Sequence, residues 1–255
     1  MIADINGTML GYTRAGSGVP LICLHGGMGL DSGSLRTPGI EGLTSTGFEV
    51  VLFDQRGHGE SSKSPPDYLT HEQWSRDVIG LADHLGWDQF ALLGHSYGGF
   101  IALEAAIHHP GRLSHLILVS TSAGPVEVSF PELHDDEELQ MFFQERWPHF
   151  FAGKQKHWEY FKAQRFSVAP FNAAFQKELP KYDLSRKLDR IQSETLLIVG
   201  EQDGYLPAMQ NIARLLPNSK LEMLPNTGHM SFLESEAEFQ KAIISFFTSR
   251  GRHAV

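Results

Sequence analysis

Hydrophobic residues along this chain fall into short continuous runs separated by mixed polar and apolar stretches. The clearest runs are Leu21–Leu24, Val50–Phe53, Phe90–Leu93, Leu116–Val119, Leu196–Val199 and Leu221–Leu224. Continuous rather than alternating hydrophobicity predicts strands that are buried on both faces, as in a parallel sheet covered by helices. Ahead of these runs, Ile2–Ile5 and Thr8–Arg14 flank the pair Asn6-Gly7, which predicts a β-hairpin.

Helical patterns lie between several of the predicted strands. Ala102–His108 stops before Pro110, and Ala208–Leu216 stops before Pro217, because proline cannot continue a helix. A third helix is predicted over Glu234–Phe247. This alternation predicts an α/β fold with three layers, a mostly parallel sheet and helices on both faces. Without a repeat or a long linker, we expect a single domain over residues 1–255.

One long segment interrupts the alternation. Between a strand ending near Ser120 and one starting near Thr195, no strand pattern is visible, and residues 126–182 hold 13 of the 27 aromatic residues (17 Phe, 4 Trp and 6 Tyr). We interpret this segment as a small helical cap of about 125–190 inserted into a core of 1–124 and 191–255. Some aromatics would pack the cap onto the core, and others would line an apolar pocket beneath it.

Composition and charge narrow the class of protein. The 255 residues are 41% hydrophobic and 20% charged, which is typical of a globular chain and excludes a disordered or fibrous one. The chain has no apolar run of membrane-spanning length and no secretory signal pattern at its start. A single cysteine, Cys23, excludes an internal disulfide, and a net charge of −9 disfavours nucleic acid and anionic lipid as partners. We therefore expect a cytoplasmic protein with a small-molecule substrate and no nucleic-acid or membrane partner. The oligomeric state stays open.

A serine motif follows one of the predicted strands. In Gly-His-Ser-Tyr-Gly, Ser96 has glycines two positions before and after it and precedes a helix. This spacing is typical of a sharp strand-to-helix turn that lifts the hydroxyl to a helix N-terminus. Because a serine hydroxyl is a weak nucleophile, it needs a base and a group that orients the base. Asp203 and His229 each follow a later strand and supply such groups in the order Ser, Asp, His.

These three turns together resemble the α/β-hydrolase superfamily over nearly the whole chain. The loop from His25 to Gly29 is similar to the oxyanion loop of its proline iminopeptidase and esterase branch, and the segment from Asp54 to Ser61 resembles a structural turn of the superfamily. The resemblance implies that Ser96 is the nucleophile, His229 the base and Asp203 the acid of a catalytic triad, and that no cofactor or metal is needed. It further implies that the backbone N–H groups of Gly27 and Tyr97 form the oxyanion hole. Two alternatives stay open, Met28 in place of Gly27 and Glu201 in place of Asp203.

Other interpretations of the same residues fit less well. Gly27-Met28-Gly29 after a strand is similar to a dinucleotide fingerprint, but Ser32 stands where its third glycine belongs. Adjacent histidines such as His108-His109 point in different directions on a helix and lack metal-ligand spacing. We interpret the acidic run from His134 to Glu138 as the solvated first turn of a helix, in preference to a site for the ammonium group of a peptide.

Several functions are compatible with the triad. We favour a carboxylesterase or lactonase acting on a small, mostly apolar acyl substrate. A proline iminopeptidase-like aminopeptidase is an alternative, although that family typically has an acidic residue after the triad Asp, where this chain has Gly204. A hydrolase of C–C bonds and a slow-turnover ligand receptor are the other two alternatives. A serine nucleophile argues against dehalogenases and epoxide hydrolases, which have aspartate there.

Overall fold

An eight-stranded sheet forms the middle layer of the fold. A computed structural model of the protein describes residues 1–126, 129–216 and 218–249. In these residues the strand order is β1-β2-β4-β3-β5-β6-β7-β8. The strands are β1 (Ile2–Ile5), β2 (Thr8–Gly16), β3 (Val19–Leu24), β4 (Phe48–Phe53), β5 (Phe90–His95), β6 (Leu113–Val119), β7 (Glu194–Gly200) and β8 (Ser219–Leu224).

Strand direction divides the sheet into two parts. β1 and β2 are antiparallel to each other, and β2 is antiparallel to β4. The neighbouring strands β4, β3, β5, β6, β7 and β8 are all parallel to one another. The first pair closes through Asn6 and Gly7, whose φ angles of 51° and 73° are those required by a two-residue hairpin turn. The sheet is therefore mostly parallel, and the carboxyl ends of its parallel strands lie at one edge.

The side chains of the parallel strands alternate between two apolar cores. Ile22, Leu92 and Leu118 pack on one face with the helices α2, α3 and α7. Cys23, Leu93 and Ile117 pack on the other face with α1 and α9. The helices are α1 (Pro38–Glu41), α2 (His71–His84), α3 (Tyr97–His108), α4 (Asp136–Arg146), α5 (Trp158–Lys162), α6 (Val168–Asn172), α7 (Leu206–Leu215), α8 (Ser231–Glu234) and α9 (Glu236–Thr248).

Helices and turns occupy the segment between β6 and β7, which is called the cap below. Its helices are α4, α5 and α6, and no strand lies between Val119 and Glu194 in the described residues. Shorter turns of 3-10 helix lie at Ser32–Leu35, Gly42–Ser45, Pro66–Tyr68, Trp147–Phe150, Leu179–Lys181 and Ser185–Arg190, with a π-helical turn at Ala173–Glu178. Among the described helices, none is long and apolar enough to cross a membrane.

Of two sequence predictions about the end of the chain, one was wrong and the other was confirmed with a later start. Leu221–Leu224 was expected to be buried on both faces, but β8 is an edge strand, and Met223 is 53% exposed. The predicted helix Glu234–Phe247 is present as α9, which starts two residues later at Glu236. Glu234 ends α8, and Ser235 separates the two helices with a φ of −140° and a ψ of 56°, which are not helical. Ser235 Oγ lies 2.6 Å from Thr227 Oγ1, so this tertiary hydrogen bond accompanies the break.

Candidate active site

Ser96 occupies a strained position between β5 and α3. Its φ of 53° and ψ of −118° lie in a region that residues other than glycine rarely adopt. Ser96 N donates to Val119 O at 2.8 Å, and Thr121 Oγ1 donates to Ser96 O at 2.8 Å. A Cβ added at Gly98 would lie 2.4 Å from Leu24 O, so glycine at this position allows α3 to pack against β3. The surrounding structure therefore holds the strained turn that the motif predicted.

His229 and Asp203 are paired at the carboxyl edge of the sheet. His229 Nδ1 lies 3.2 Å from both carboxylate oxygens of Asp203. If Nδ1 carries the proton and donates it to Asp203, Nε2 is left as an acceptor. His229 N donates to Phe150 O at 2.8 Å, and Gly228 N donates to Glu234 Oε2 at 2.7 Å. The first bond holds the loop of His229 against the cap, and the second holds it against α8.

Ser96 and His229 line the same cavity. No hydrogen bond joins Ser96 Oγ to His229 among the residues that the structure describes. Such bonds are often long in substrate-free enzymes and shorten when the substrate binds. The structure thus brings the three predicted triad residues to one site, with only the His–Asp bond formed.

The charge of Asp203 is stabilised by its neighbours. Burial by itself raises the pKa of Asp203, but the charge of His229, the hydrogen bond from its ring, the Ser120 hydroxyl and the N–H of Tyr205 together lower the pKa to about 2. Ser120 Oγ is itself buried and has no hydrogen bond of ordinary geometry among the described residues. Asp203 is therefore ionised at neutral pH, as an acid that orients an imidazole must be.

Two aromatic rings lie beside the imidazole of His229. The ring of Tyr205 stacks on it at 5.4 Å between centroids, and the ring of Phe150 lies 5.3 Å away at an angle of 38°. Sequence reasoning missed both residues, as well as Ser120, because neither their type nor their spacing carries a motif. Among these three, only Tyr205 lies close in sequence to a predicted site residue, two positions after Asp203.

His95 contacts the loop of the candidate base. Its Nε2 lies 3.1 Å from His229 O, and the two ring centroids are 4.8 Å apart. Burial lowers the pKa of His95 to about 3, with the nearby charge of His229 acting in the same direction. The ring is therefore neutral at neutral pH and donates from Nε2 to the carbonyl.

The loop after β3 and the start of α3 present the two predicted oxyanion donors. Gly27 and Tyr97 both line the cavity with Ser96, whereas Met28 is fully buried. The N–H of Tyr97, at the first position of α3, has no acceptor within the helix. Gly29 N donates to His58 Nε2 at 3.0 Å, which anchors the loop. This arrangement favours Gly27 over Met28 as the first donor.

An apolar cavity of about 600 Å³ lies between the cap and the sheet edge. Its aromatic lining from the cap consists of Phe130, Phe142, Phe143, Trp147, Phe150 and Phe175, and the core adds Tyr97, Phe100 and Tyr205. Phe161 is also buried, but it packs against Trp147 at 5.3 Å between ring centroids instead of lining the cavity. The cap aromatics therefore divide between the two roles expected from the sequence.

Charged groups are scarce in the cavity. Apart from histidines, the described lining has two ionisable charged residues, Asp203 and Arg146. The acidic run from His134 to Glu138 does not contribute to the cavity lining. Its Asp135 caps α4 by accepting from Glu138 N at 2.9 Å. Gly204 does line the cavity, and a Cβ there would meet no atom within 4 Å. No carboxylate other than that of Asp203 is therefore available to a substrate ammonium in this lining.

The remaining alternatives involve residues with other contacts. Glu201 is exposed and accepts from Asn226 N at 3.3 Å, whereas Asp203 contacts His229. Asp54 accepts from Ser32 N and Glu60 N, so it stabilises the backbone of two loops. Among the described residues, no group of three His, Cys, Asp or Glu side chains could hold a metal ion. Cys23 is fully buried in β3, and burial raises the pKa of its thiol.

The mostly parallel sheet, the serine turn at the end of β5 and the His–Asp pair at the ends of later strands define an α/β hydrolase. The sequence profile of the alpha/beta hydrolase fold family matches residues 19–166 and 152–236. The chain belongs to the α/β-hydrolase fold family.

Relatives of known type support this class. The chain is 28% identical to proline iminopeptidase PfmaB of Pestalotiopsis fici, covering 95% of this chain and 97% of the relative. It is 26% identical to the 2-hydroxy-6-oxo-6-phenylhexa-2,4-dienoate hydrolase of Comamonas testosteroni, with 97% and 94% covered. The crystal structure of the enol-lactonase from Burkholderia xenovorans LB400 superposes with a TM-score of 0.83 at 25% identity, covering 97% of this chain and 100% of the other. These similar proteins are hydrolases, and so is this chain.

Proposed function

We propose that the protein hydrolyses a small, mostly apolar carboxylic ester or lactone through an acyl-enzyme on Ser96. The observation that carries this proposal is the position of Ser96 and the His229–Asp203 pair in a cavity whose lining is mainly aromatic and aliphatic. Burying apolar acyl surface in such a cavity contributes about 25 cal/mol per Å². The enol-lactonase similarity is in line with a substrate of this class.

The proposed reaction gives a role to each residue of the site. Ser96 Oγ attacks the carbonyl carbon as its proton moves to His229 Nε2, and Asp203 stabilises the resulting imidazolium. The N–H groups of Gly27 and Tyr97 donate to the oxyanion, whose charge develops only in the transition state. The C–O bond to the leaving alcohol then breaks, and the alcohol takes the proton from His229. Water then attacks the acyl carbon as its proton moves to His229 Nε2. The bond from the acyl carbon to Ser96 Oγ breaks, His229 returns the proton to Ser96 Oγ, and the acid leaves.

The aminopeptidase alternative requires a partner for the free amine of its substrate. An ammonium group buried without such a partner has a large desolvation cost. Gly204 provides no carboxylate, and the acidic residues at the start of α4 are not part of the cavity lining. The similarity to a proline iminopeptidase is therefore not matched by an amine site, and we favour the ester or lactone.

A side-by-side substrate panel tests the proposed function. One preparation is assayed with 4-nitrophenyl butanoate and hexanoate, a γ-lactone, and proline 4-nitroanilide. We expect a higher kcat/KM for the uncharged esters or the lactone than for the anilide. A tenfold or greater preference for proline 4-nitroanilide contradicts the proposal and favours the aminopeptidase, and turnover of none of these compounds contradicts both.

A further inference from the structure

Arg146 brings a positive charge to a cavity that is otherwise almost uncharged. It is the last residue of α4, and in the described lining no other Lys or Arg is present. Its side chain is 46% exposed, whereas the neighbouring Phe142 and Trp147 are buried. The guanidinium therefore lies where the cavity meets solvent.

The guanidinium is held in place but has few partners. Its Cζ atom lies 3.6 Å from the centroid of the Phe142 ring, and Nη1 donates to Phe142 O at 3.1 Å. The nearest acidic partner, Glu145, has its carboxylate 3.9 Å away and is 80% exposed. An arginine has five N–H donors in a planar fork, and the described residues provide an acceptor for one of them. The Phe142 ring therefore orients the guanidinium of Arg146, and most of its N–H donors have no acceptor among the described residues.

Stabilisation of the helix explains part of this arrangement. A basic residue at a helix C-terminus interacts favourably with the helix dipole and the last carbonyl groups, which accounts for the bond to Phe142 O. Stabilisation of the helix end does not require the guanidinium of Arg146 to lie at the cavity. The other charged lining residue, Asp203, is already paired with His229, so no carboxylate of the lining neutralises Arg146.

We propose that the substrate carries an anionic group, a carboxylate, which Arg146 binds at the cavity mouth while the reactive carbonyl lies at Ser96. This inference rests on the proposed function for the place of the carbonyl. An apolar stretch between the two groups fits the aromatic lining. Because the whole chain has a net charge of −9, long-range attraction does not favour an anion, and a local guanidinium is needed to bind one. Arginine suits a carboxylate through paired N–H donors.

The test compares esters that differ only in this charge. On the acyl side, mono(4-nitrophenyl) hexanedioate is paired with its methyl ester, and on the alcohol side 4-(hexanoyloxy)benzoate is paired with its methyl ester. Binding is measured by calorimetry in a Ser96→Ala background, where the proposed reaction is blocked, and kcat/KM is measured with Ser96 present. Arg146→Gln and Arg146→Lys are compared with Lys162→Gln, which removes the same charge from an exposed cap residue outside the cavity lining.

We expect one pair to show a preference of about tenfold for the carboxylate compound, as for a charge-assisted contact worth about 1.4 kcal/mol. The preference should disappear in Arg146→Gln, survive in part in Arg146→Lys and in full in Lys162→Gln, and weaken with added salt. Equal binding within both pairs, or a preference that survives Arg146→Gln, overturns the inference. If Ser96→Ala shows the Arg146-dependent preference but the intact protein hydrolyses none of the esters, the proposed function fails and the anion site stands.

Discussion

The ring of His95 donates from Nε2 to the carbonyl oxygen of His229 at 3.1 Å. The residue that precedes the candidate nucleophile therefore holds the loop of the candidate base. Since the pKa of His95 is lowered to about 3 by burial, this bond does not depend on pH near neutrality. It links two turns whose bonded residues are 134 positions apart in the sequence.

Replacing Ser96 tests the nucleophile. We expect Ser96→Ala to abolish labelling by a fluorophosphonate probe and to lower turnover by up to ~10⁶, the loss known for a triad serine. Ser122→Ala is the matched control, because Ser122 also contributes a hydroxyl to the cavity. Labelling is measured by mass spectrometry of the intact protein. Full labelling of Ser96→Ala would show that another residue is the nucleophile.

Asp203 and Ser120 test the orientation of the base. Asp203→Asn should lower kcat by about 10⁴, because the amide favours the wrong imidazole tautomer. Ser120→Ala should cause a smaller loss, since its hydroxyl only helps to lower the pKa of Asp203. Ser193→Ala is the control, because Ser193 is also buried and its hydroxyl has no hydrogen-bond partner among the described residues. Equal effects of Ser120→Ala and Ser193→Ala on kcat would assign Ser120 a structural role only.

His58 predicts how stability depends on pH. Burial and the nearby His25 lower the pKa of His58 from 6.5 to about 3. Between these values the unfolded chain binds the proton and the folded one does not, so the free energy of unfolding falls as pH decreases from about 6.5 to about 3. One such group contributes up to about 1.4 kcal/mol per pH unit. Protonation would also remove the acceptor of Gly29 N.

Denaturant unfolding between pH 7 and pH 4 measures this slope. We expect His58→Gln to be less stable at pH 7 but to lose less free energy of unfolding per pH unit than the unaltered protein. His134→Gln, at an exposed position, should leave the slope unchanged. A slope that His58→Gln does not alter would mean that His58 is protonated in the folded protein over this range.

Gly204 allows a gain-of-function test of substrate class. A Cβ added at Gly204 would meet no atom within 4 Å. We therefore expect Gly204→Glu to place a carboxylate at the cavity without steric conflict. The ratio of kcat/KM for proline 4-nitroanilide to that for 4-nitrophenyl butanoate should rise at least about tenfold, because a charged hydrogen bond contributes about 1.5 kcal/mol or more. Gly111→Glu adds the same charge at an exposed position with free space. An equal change in both variants would contradict a direct contact with the amine.

Local patterns in the sequence were sufficient to predict the framework of this protein. The strands coincide with the continuous apolar runs, and Asn6-Gly7 forms the predicted hairpin turn, because burial and turn geometry act through residues that are close in sequence. Ser96, Asp203 and His229 could be proposed as a set for the same reason, since each belongs to a short motif at the end of a strand. Only the order of the strands in the sheet makes β8 an edge strand with an exposed Met223.

Tertiary structure alone decided which further residues surround the site. Ser120, Phe150 and Tyr205 contact the His–Asp pair from separate elements, and no motif distinguishes them. The break between α8 and α9 at Ser235 is accompanied by a hydrogen bond to Thr227, which lies in another loop. Arg146 carries no motif in the sequence, and the fold alone places it at the cavity. Such contacts join distant parts of the chain, so their energies depend on packing that no local pattern records.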